Sequence, residues 1–157
     1  MRYTIMNSQL GPVMLAESDE GLHHISFQEG EGTLRPLSDW EEVPDLKCDA
    51  RRQLQQYFEG ARTEFDLPLA PEGTTFQRQV WEALLKIKFG RTATYGEIAE
   101  TINKPKASRA VGSANGKNPL PIVIPCHRII GSSGKLTGYA GGLKFNKALL
   151  ELEGIHS

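Results

Sequence analysis

The chain has 157 residues, of which 39% are hydrophobic and 24% charged, and its formal net charge at pH 7 is −1. This composition is typical of a globular chain forming one ordinary domain or two small ones, and it excludes an intrinsically disordered protein. No apolar run approaches the roughly 20 residues that a membrane-spanning helix needs. Residues 1–5 enter strand-like alternation without an apolar signal core, so we expect a cytoplasmic protein with no membrane partner.

The small net charge hides a strong asymmetry between the two halves of the chain. Residues 1–73 contain six Lys and Arg against 14 Asp and Glu, whereas residues 74–157 contain 12 against five. The first half therefore carries −8 and the second +7. A basic half suggests a surface for a polyanion, although chance segregation of solvated surface charges would give the same pattern.

The cysteines and histidines give no sign of a metal site. Cys48 and Cys126 are too few for a disulfide framework and lack the CxxC spacing of zinc sites. His23 and His24 would point to opposite faces of a strand, so we expect them to be structural. A reducing compartment would leave Cys126 as a free thiol.

Three short strands are predicted within the first 27 residues. They cover residues 2–6, 13–16 and 22–27, with turns at Gly11-Pro12 and Asp19–Gly21 between them. Short strands at this spacing are typical of an antiparallel meander.

A long loop and one helix complete the first predicted domain. Residues 28–45 are rich in Gly, Glu, Asp, Pro and Ser, as in loops, and residues 46–59 have the apolar spacing of a helix. Residues 60–73 contain two prolines and coincide with the change of charge sign. We therefore place an N-terminal domain with its linker at 1–73 and a C-terminal domain at 74–157.

The second domain is predicted to be mostly helical. Thr74 or Thr75 can cap a helix whose apolar stripe continues to Phe89-Gly90. A last helix is expected at about residues 143–153.

Between these helices lies a candidate helix-turn-helix. Thr94 and Glu97 have capping-box spacing and open a short helix at 95–102, which a turn connects to a second helix at about 107–115. The second helix has Arg109 as its one long side chain among small residues, so it has little with which to read base edges. Its small residues would allow close approach to a sugar-phosphate backbone, but they suit packing against another helix equally well.

The strongest chemical candidate is the segment Ile-Pro-Cys-His-Arg at residues 124–128. An apolar run at 121–124 and a proline present Cys126, with His127 beside it. This arrangement suggests a thiolate nucleophile at the end of a buried segment, although a buried cysteine often serves packing alone. Neighbouring residues point in different directions, so His127 would act on the thiol through a water molecule, with Glu153 as a candidate to orient its ring.

Six segments of the second domain resemble the O6-alkylguanine-DNA alkyltransferases, a family of direct-reversal DNA repair proteins, in their stand-alone bacterial-type form. The similarity covers roughly residues 74–154, where the segments follow the family's order and spacing, and it is mostly architectural over 1–73. The segments are PCHRII from Pro125, TFQRQVW from Thr75, TYGEIA from Thr94, SRAVG from Ser108, NGKNP from Asn115 and TGYAGGL from Thr137.

The resemblance implies a fold and a reaction. The fold is α/β (α+β), with a small N-terminal antiparallel-sheet domain carrying a helix and a mostly helical, winged-helix-like C-terminal domain that contains the helix-turn-helix. The reaction is irreversible transfer of the alkyl group from O6-alkylguanine in double-stranded DNA to Cys126, once per chain, after base flipping through the minor groove. O4-alkylthymine is a second candidate substrate. The resemblance implies a monomer without metal or other cofactor, and leaves cooperative binding along DNA open.

The resemblance also assigns roles to residues. Cys126 would be the nucleophile, His127 the base acting through water, and Glu153 the group holding the imidazole. Asn118 would hold the turn before the active-site strand. The DNA-facing residues would be Arg109, which fills the gap left by the extruded nucleotide, Tyr95, which helps rotate it out, Ala110 and Ser113. The substrate pocket would be formed by Pro121, Ile129, Tyr139, Ala140 and Gly141.

Two other functions compete with this interpretation. A cysteine hydrolase would need Cys126 and His127 within direct hydrogen-bond reach and an oxyanion hole, and their adjacency argues against it. A non-catalytic helix-turn-helix protein would need base-reading side chains, of which Arg109 is the one available. The glycine-rich loops at 131–134 and 138–142 lack the P-loop pattern, so no nucleotide cofactor is expected.

Overall fold

The computed structural model describes residues 1–29, 33–131 and 143–155. The chain divides into two compact units, Met1–Glu72 and Gly73–Ser157. The first unit holds a sheet and one α-helix, and the second holds four α-helices and a short 3₁₀ helix within the described residues. The predicted mixed fold class is thereby confirmed. No helix in the described part of the chain is long and apolar enough to cross a membrane.

The first unit is built on the predicted meander, with strands longer than expected. β1 (Arg2–Ser8), β2 (Gly11–Ser18) and β3 (Gly21–Phe27) pair antiparallel, and the short strand β4 (Glu41–Glu42) adds to β1 in parallel. The order across the sheet is β3-β2-β1-β4. β4 lies within the predicted loop. Its pairing rests on the main chain, since Glu41 N donates to Met1 O at 2.8 Å, and two adjacent glutamates have no strand pattern to reveal it.

The helix of the first unit, α1 (Ala50–Phe58), begins four residues later than predicted. The buried carboxylate of Glu17 accepts hydrogen bonds from the backbone N–H groups of Lys47 (2.8 Å) and Cys48 (2.9 Å). These residues are therefore held against the sheet rather than in the helix. Gly60 has φ 79°, a left-handed conformation suited to glycine, and follows the helix end.

The second unit contains α2 (Thr75–Leu84), α3 (Tyr95–Thr101), α4 (Ser108–Gly116) and α5 (Leu143–Leu152). Both predicted caps form as capping boxes: Gln77 N donates to Thr74 Oγ1, and Glu97 N donates to Thr94 Oγ1, each at 3.1 Å. α2 ends before the predicted Phe89-Gly90 because the chain tightens at its end, where Lys86 N bonds to Ala83 O. Leu85, an apolar residue directly after this helix, is exposed.

Two contacts connect the helix-turn-helix to the rest of the second unit, one to α2 and one to the residues that follow Cys126. Trp81 of α2 is buried and donates its Nε1–H to the Ala114 carbonyl of α4 at 2.9 Å. β5 (Ala93–Thr94) pairs in parallel with β6 (Ile129–Ile130), so the start of α3 and the residues after Cys126 share one small sheet. The structure thus brings these distant segments into contact within the second unit.

Candidate active site

The segment before Cys126 is a compact turn, so the expected active-site strand is wrong. The side-chain Oδ1 of Asn118 accepts from Leu120 N at 2.9 Å, its Nδ2 donates to Ile124 O at 2.8 Å, and Ile124 N donates to Leu120 O at 2.8 Å. Asn118 therefore bridges both ends of the turn, as asparagine often does. Prolines among these residues lack the N–H that a strand would need. The turn also holds Ile122 at φ 77°, an unusual and strained conformation for a β-branched residue.

Cys126 opens a short 3₁₀ helix, Cys126–Arg128, which is almost completely buried. The turn leads directly into it, since Arg128 N bonds to Pro125 O at 3.0 Å. Cys126 is 1% exposed. Pro121 and Ile129, predicted to line the substrate pocket, are buried on either side of this segment in the chain.

Glu153, 26 residues beyond His127, lies against its ring as predicted. His127 Nε2 and Glu153 Oε2 are 2.6 Å apart, and both side chains are fully buried. An ionised carboxylate has no proton to donate, so Nε2 carries the proton and donates it. In the neutral ring the lone pair is then at Nδ1, which hydrogen-bonds to no other described residue. This arrangement fixes the tautomer and leaves one nitrogen as a proton acceptor.

Arg128 is the main feature of the site that the sequence interpretation missed. Its Nε donates to Glu153 Oε1 at 2.8 Å, its Nη2 to Glu153 Oε2 at 3.1 Å, and its Nη1 to the Ile87 carbonyl at 2.6 Å. Arg128 is 6% exposed. An arginine is usually at the surface, so its place beside Cys126 in the sequence gave no sign that it would be buried.

Burial lowers the pKa of His127 below its usual value. Loss of solvent around the charged ring is the largest cause, and the positive charge of Arg128 acts in the same direction. The hydrogen bond and negative charge of Glu153 act in the opposite direction. The balance favours neutral imidazole at pH 7, the form in which Nδ1 accepts a proton.

A second missed residue touches the cysteine itself. Asn115, at the end of α4, is buried, and its Nδ2 lies 3.5 Å from the Cys126 carbonyl, at the limit of a hydrogen bond. The helix-turn-helix candidate is therefore connected to the cysteine segment by a side chain. The sequence gave a weak signal, since Asn115 lies within one of the six family-like segments.

The outer surface of α4 carries the residues expected to face DNA. Arg109, Ala110 and Ser113 are exposed, whereas Val111 and Ala114 are buried. The small residues thus divide between the two faces of the helix, with some packed inward and some facing outward. Only Arg109 extends far from the exposed surface of this helix.

Tyr95 lies where α3 and α4 pack together. Its ring is half-buried, and a Cβ built on Gly112 would lie 3.5 Å from Tyr95 Cε1, an ordinary van der Waals contact. A Cβ at Gly112 would therefore fit against the tyrosine, and a larger side chain there would press on its ring. Tyr139, Ala140 and Gly141, also expected at the pocket, lie outside the described residues.

Neither cysteine belongs to a metal site among the residues that the structure describes, where no group of three or more His, Cys, Asp or Glu could hold an ion. Cys48 is also a poor candidate for a nucleophile. Burial raises the pKa of its thiol to about 11, which keeps it protonated at neutral pH.

Two family models together account for nearly the whole chain. The 6-O-methylguanine DNA methyltransferase ribonuclease-like domain matches residues 1–71, and the DNA-binding domain of the same proteins matches residues 75–155. The chain belongs to the 6-O-methylguanine DNA methyltransferase family. This family is the one that the six sequence segments resemble, so that prediction is confirmed.

Named relatives and solved structures agree with the methyltransferase family. A methylated-DNA–protein-cysteine methyltransferase of Methanosarcina acetivorans is 51% identical over 98% of this chain and 99% of its own length. The protein of that name from Mycobacterium tuberculosis is 48% identical over 98% of this chain and 92% of its own. The crystal structure of Mycobacterium tuberculosis OGT in complex with DNA matches with a TM-score of 0.89 at 47% identity, covering 98% of this chain and 92% of that one.

Proposed function

We propose that the protein repairs O6-alkylguanine in double-stranded DNA by moving the alkyl group to Cys126, once per chain and irreversibly. The observation that carries this proposal is the buried hydrogen bond between His127 and Glu153 next to Cys126, in a chain of the methyltransferase family. This hydrogen bond leaves Nδ1 of a neutral His127 as a proton acceptor, and His127 is adjacent in sequence to the Cys126 thiol. A thiolate, rather than a thiol, is the nucleophile that alkyl transfer needs.

The reaction balances with this set of residues alone. A water molecule passes the Cys126 thiol proton to Nδ1 of His127, and the thiolate sulfur forms a bond to the alkyl carbon. The bond from that carbon to O6 breaks, its electron pair stays on the base, and N1 of the base takes up through water the proton that His127 received. The products are guanine and S-alkylcysteine. No oxidant, reductant or cofactor is consumed, and O4-alkylthymine is a second candidate substrate for the same chemistry.

The buried position of Cys126 supports base flipping. The O6 atom lies inside the base stack of a duplex, and Cys126 lies inside the protein, so the nucleotide must leave the stack to meet the sulfur. We assign Pro121 and the backbone of Ile129 to the pocket that receives the base, together with Tyr139, Ala140 and Gly141. Asn118 would hold Cys126 in place by fixing the turn that precedes it.

The exposed surface of α4 supports contact with the minor groove. Ala110 and Ser113 are short enough to let the helix approach the sugar-phosphate backbone, and Arg109 is exposed and long enough to enter the space of the missing base. Tyr95, packed against α4 through Gly112, would help rotate the nucleotide outwards. The related Mycobacterium tuberculosis OGT was crystallised in complex with DNA.

The remaining assignments follow from the same proposal. Residues 74–157 would bind DNA and carry out the transfer, while residues 1–73 would form a separate N-terminal domain. The protein would act as a cytoplasmic monomer. Binding along DNA would follow from the basic charge of the second half of the chain.

The stoichiometry of repair tests this proposal. A duplex containing O6-methylguanine is titrated with increasing amounts of protein, and the restored guanine is measured by nucleoside analysis. We expect one guanine restored for each protein chain and none thereafter, with Cys48→Ala equal to the parent and Cys126→Ala inactive. Continued restoration by a limiting amount of protein, or equal activity of Cys126→Ala, would overturn it.

A further inference from the structure

Two positively polarised side chains converge on one buried carboxylate at the site, and the backbone N–H of Gly90 approaches its Oε1 at 3.5 Å. Glu153 accepts from both Nε and Nη2 of Arg128 and from Nε2 of His127, and the side chains of Glu153 and His127 are fully buried. A buried carboxylate is strongly destabilising unless its charge is matched. Either a protonated His127 or Arg128 could provide the matching charge.

The geometry assigns that task to Arg128. Its two hydrogen bonds to Glu153 form the bidentate fork that a guanidinium makes with a carboxylate, and arginine stays charged at every pH at which the protein is folded. His127 makes a single hydrogen bond to the same carboxylate, which a neutral imidazole can donate. The site is therefore balanced with His127 uncharged.

The other charged side chains that the structure describes lie away from this balance. Within the described residues, the groups facing His127 are Arg128 and Cys126 from its own 3₁₀ helix and Glu153 from the residue after α5. Four charged side chains of the packed helices whose burial the structure describes, Arg78 and Glu82 on α2 and Lys147 and Glu151 on α5, are exposed. Solvent screens exposed charges, so the three buried groups dominate the electrostatics at the ring.

Arg128 is itself held in place. Its Nη1 donates to the Ile87 carbonyl beyond the end of α2, and its guanidinium carbon lies 5.9 Å from the centre of the Phe89 ring. These contacts fix the guanidinium before any substrate arrives. A lysine has one ammonium group in place of the planar fork, so it could not make all three hydrogen bonds with the same geometry.

We propose that Arg128 is a positioning residue that matches the charge of Glu153 and thereby keeps His127 in the neutral form whose Nδ1 accepts a proton. This inference rests on the proposed function for its catalytic meaning, because His127 is the proton acceptor there. The charge balance itself is a property of the free protein and can be measured without DNA.

The first test is the titration of His127 in the free protein, followed by the nitrogen chemical shifts of labelled histidine. Arg128→Met removes the charge and keeps an apolar chain of similar length, and Arg91→Met, at an exposed arginine of the same unit, is the matched control. We expect the pKa of His127 to rise by about one pH unit or more in Arg128→Met, since the unmatched carboxylate then favours imidazolium. An unchanged pKa in Arg128→Met, or an equal rise in Arg91→Met, would overturn the proposal.

The second test removes both charges together. Arg128→Met combined with Glu153→Gln leaves an amide oxygen to accept from His127 Nε2 and no net charge to match. We expect this double variant to be more stable than Arg128→Met and to return the His127 pKa towards that of the parent. If Arg128→Met does not fold, a folded double variant supports the proposal. A double variant that also fails to fold overturns it, because Arg128 would then be needed for packing.

Measurement of methyl transfer distinguishes a failure of this inference from a failure of the proposed function. The rate of a single transfer is followed against pH for the parent and Arg128→Met. We expect the pH at which the rate reaches half its maximum to rise with the His127 pKa, an effect that a merely less stable variant such as Val111→Ala would not show. A parent protein that transfers nothing contradicts the proposed function while the histidine titration still decides the role of Arg128. A raised pKa with an unmoved rate profile overturns the catalytic part of the inference.

Discussion

At the scale of single residues, the site combines three buried polar side chains with one thiol. His127, Arg128 and Glu153 are each at most 6% exposed, yet each has a hydrogen-bond partner of suitable charge. Burial alone would make a charged imidazole costly, which is why the pKa of His127 is lowered. A histidine whose pKa is lower in the folded than in the unfolded chain makes stability and activity depend on pH.

The first prediction concerns that pH dependence. The pKa of His127 is lower in the folded than in the unfolded chain, so the unfolded chain binds more protons as the pH falls through about 6.5. The free energy of unfolding should therefore decrease from about pH 7.5 to about pH 5.5, and His127→Gln should show a weaker decrease. Urea unfolding at both pH values measures this. The comparison with the parent cancels shared contributions such as that of His24, whose pKa is also lowered by burial. Equal pH dependence in the two proteins would contradict a neutral buried His127.

The second prediction concerns Asn118 and the turn before Cys126. Asn118→Ala removes the hydrogen bonds to Leu120 N and Ile124 O and should cost about 1–3 kcal/mol of stability, with slower transfer because Cys126 is less firmly placed. Asn118→Asp keeps the acceptor for Leu120 N and loses the donor to Ile124 O, so it should fall between Ala and the parent at neutral pH. Chemical unfolding and single-turnover rates check both variants. Parent-like values for Asn118→Ala would show that the turn forms without this side chain.

At the scale of elements, α4 serves the site from both of its faces. The Ala114 carbonyl accepts from Trp81 of α2 and Asn115 reaches the cysteine segment, whereas Arg109, Ala110 and Ser113 are exposed. Small residues therefore lie on both faces of the helix. Inward they allow close packing, and outward, under the proposed function, they would allow close approach to a groove.

The third prediction concerns Gly112 on this helix. A Cβ there would meet Tyr95 Cε1 at 3.5 Å, so Gly112→Ala should be tolerated, and its higher helix propensity should add about 0.5–1 kcal/mol of stability. Gly112→Val adds branched methyl groups on the same side and should destabilise the unit by about 1–3 kcal/mol through overpacking. It should also displace Tyr95 and slow transfer. Thermal or chemical unfolding of the two variants, with transfer rates, provides the comparison. Equal stability of Ala and Val would mean that the Tyr95 contact is not restrictive.

At the scale of the whole molecule, much of the secondary structure could be predicted from the sequence. The contacts around Cys126 could be predicted only in part. The three-strand meander and the Thr94–Glu97 capping box follow from local patterns, and the turn before Cys126 does not, because it depends on Asn118 bonding to a residue six positions away. The contact of His127 with Glu153 was predicted. The contact of Arg128 with Glu153 was not predicted, because no local pattern shows which arginine a fold will bury.

The fourth prediction concerns the separation of charge between the two units. Binding of undamaged duplex DNA should weaken steeply as salt rises from about 50 to about 200 mM, because Lys and Arg bound to phosphates release counterions. Lys106→Gln, next to α4 and exposed, should lower the slope of log K against log salt by about one if it contacts a phosphate. Lys47→Gln in the acidic unit is the matched control and should leave the slope unchanged. Fluorescence titrations at several salt concentrations measure the slopes. An equal effect of both substitutions would contradict DNA binding by residues 74–157.

The central claim is that Cys126 becomes alkylated, and the mass of the protein tests it most directly. The protein is mixed with excess duplex containing O6-methylguanine, and its intact mass and peptide masses are recorded over time. We predict a gain of about 14 Da, one methylene, that stops at one per chain and lies on the peptide containing Cys126 rather than Cys48, because a neutral imidazole adjoins Cys126 whereas burial raises the pKa of the Cys48 thiol to about 11. No gain in mass, or a gain located on Cys48, would contradict the account.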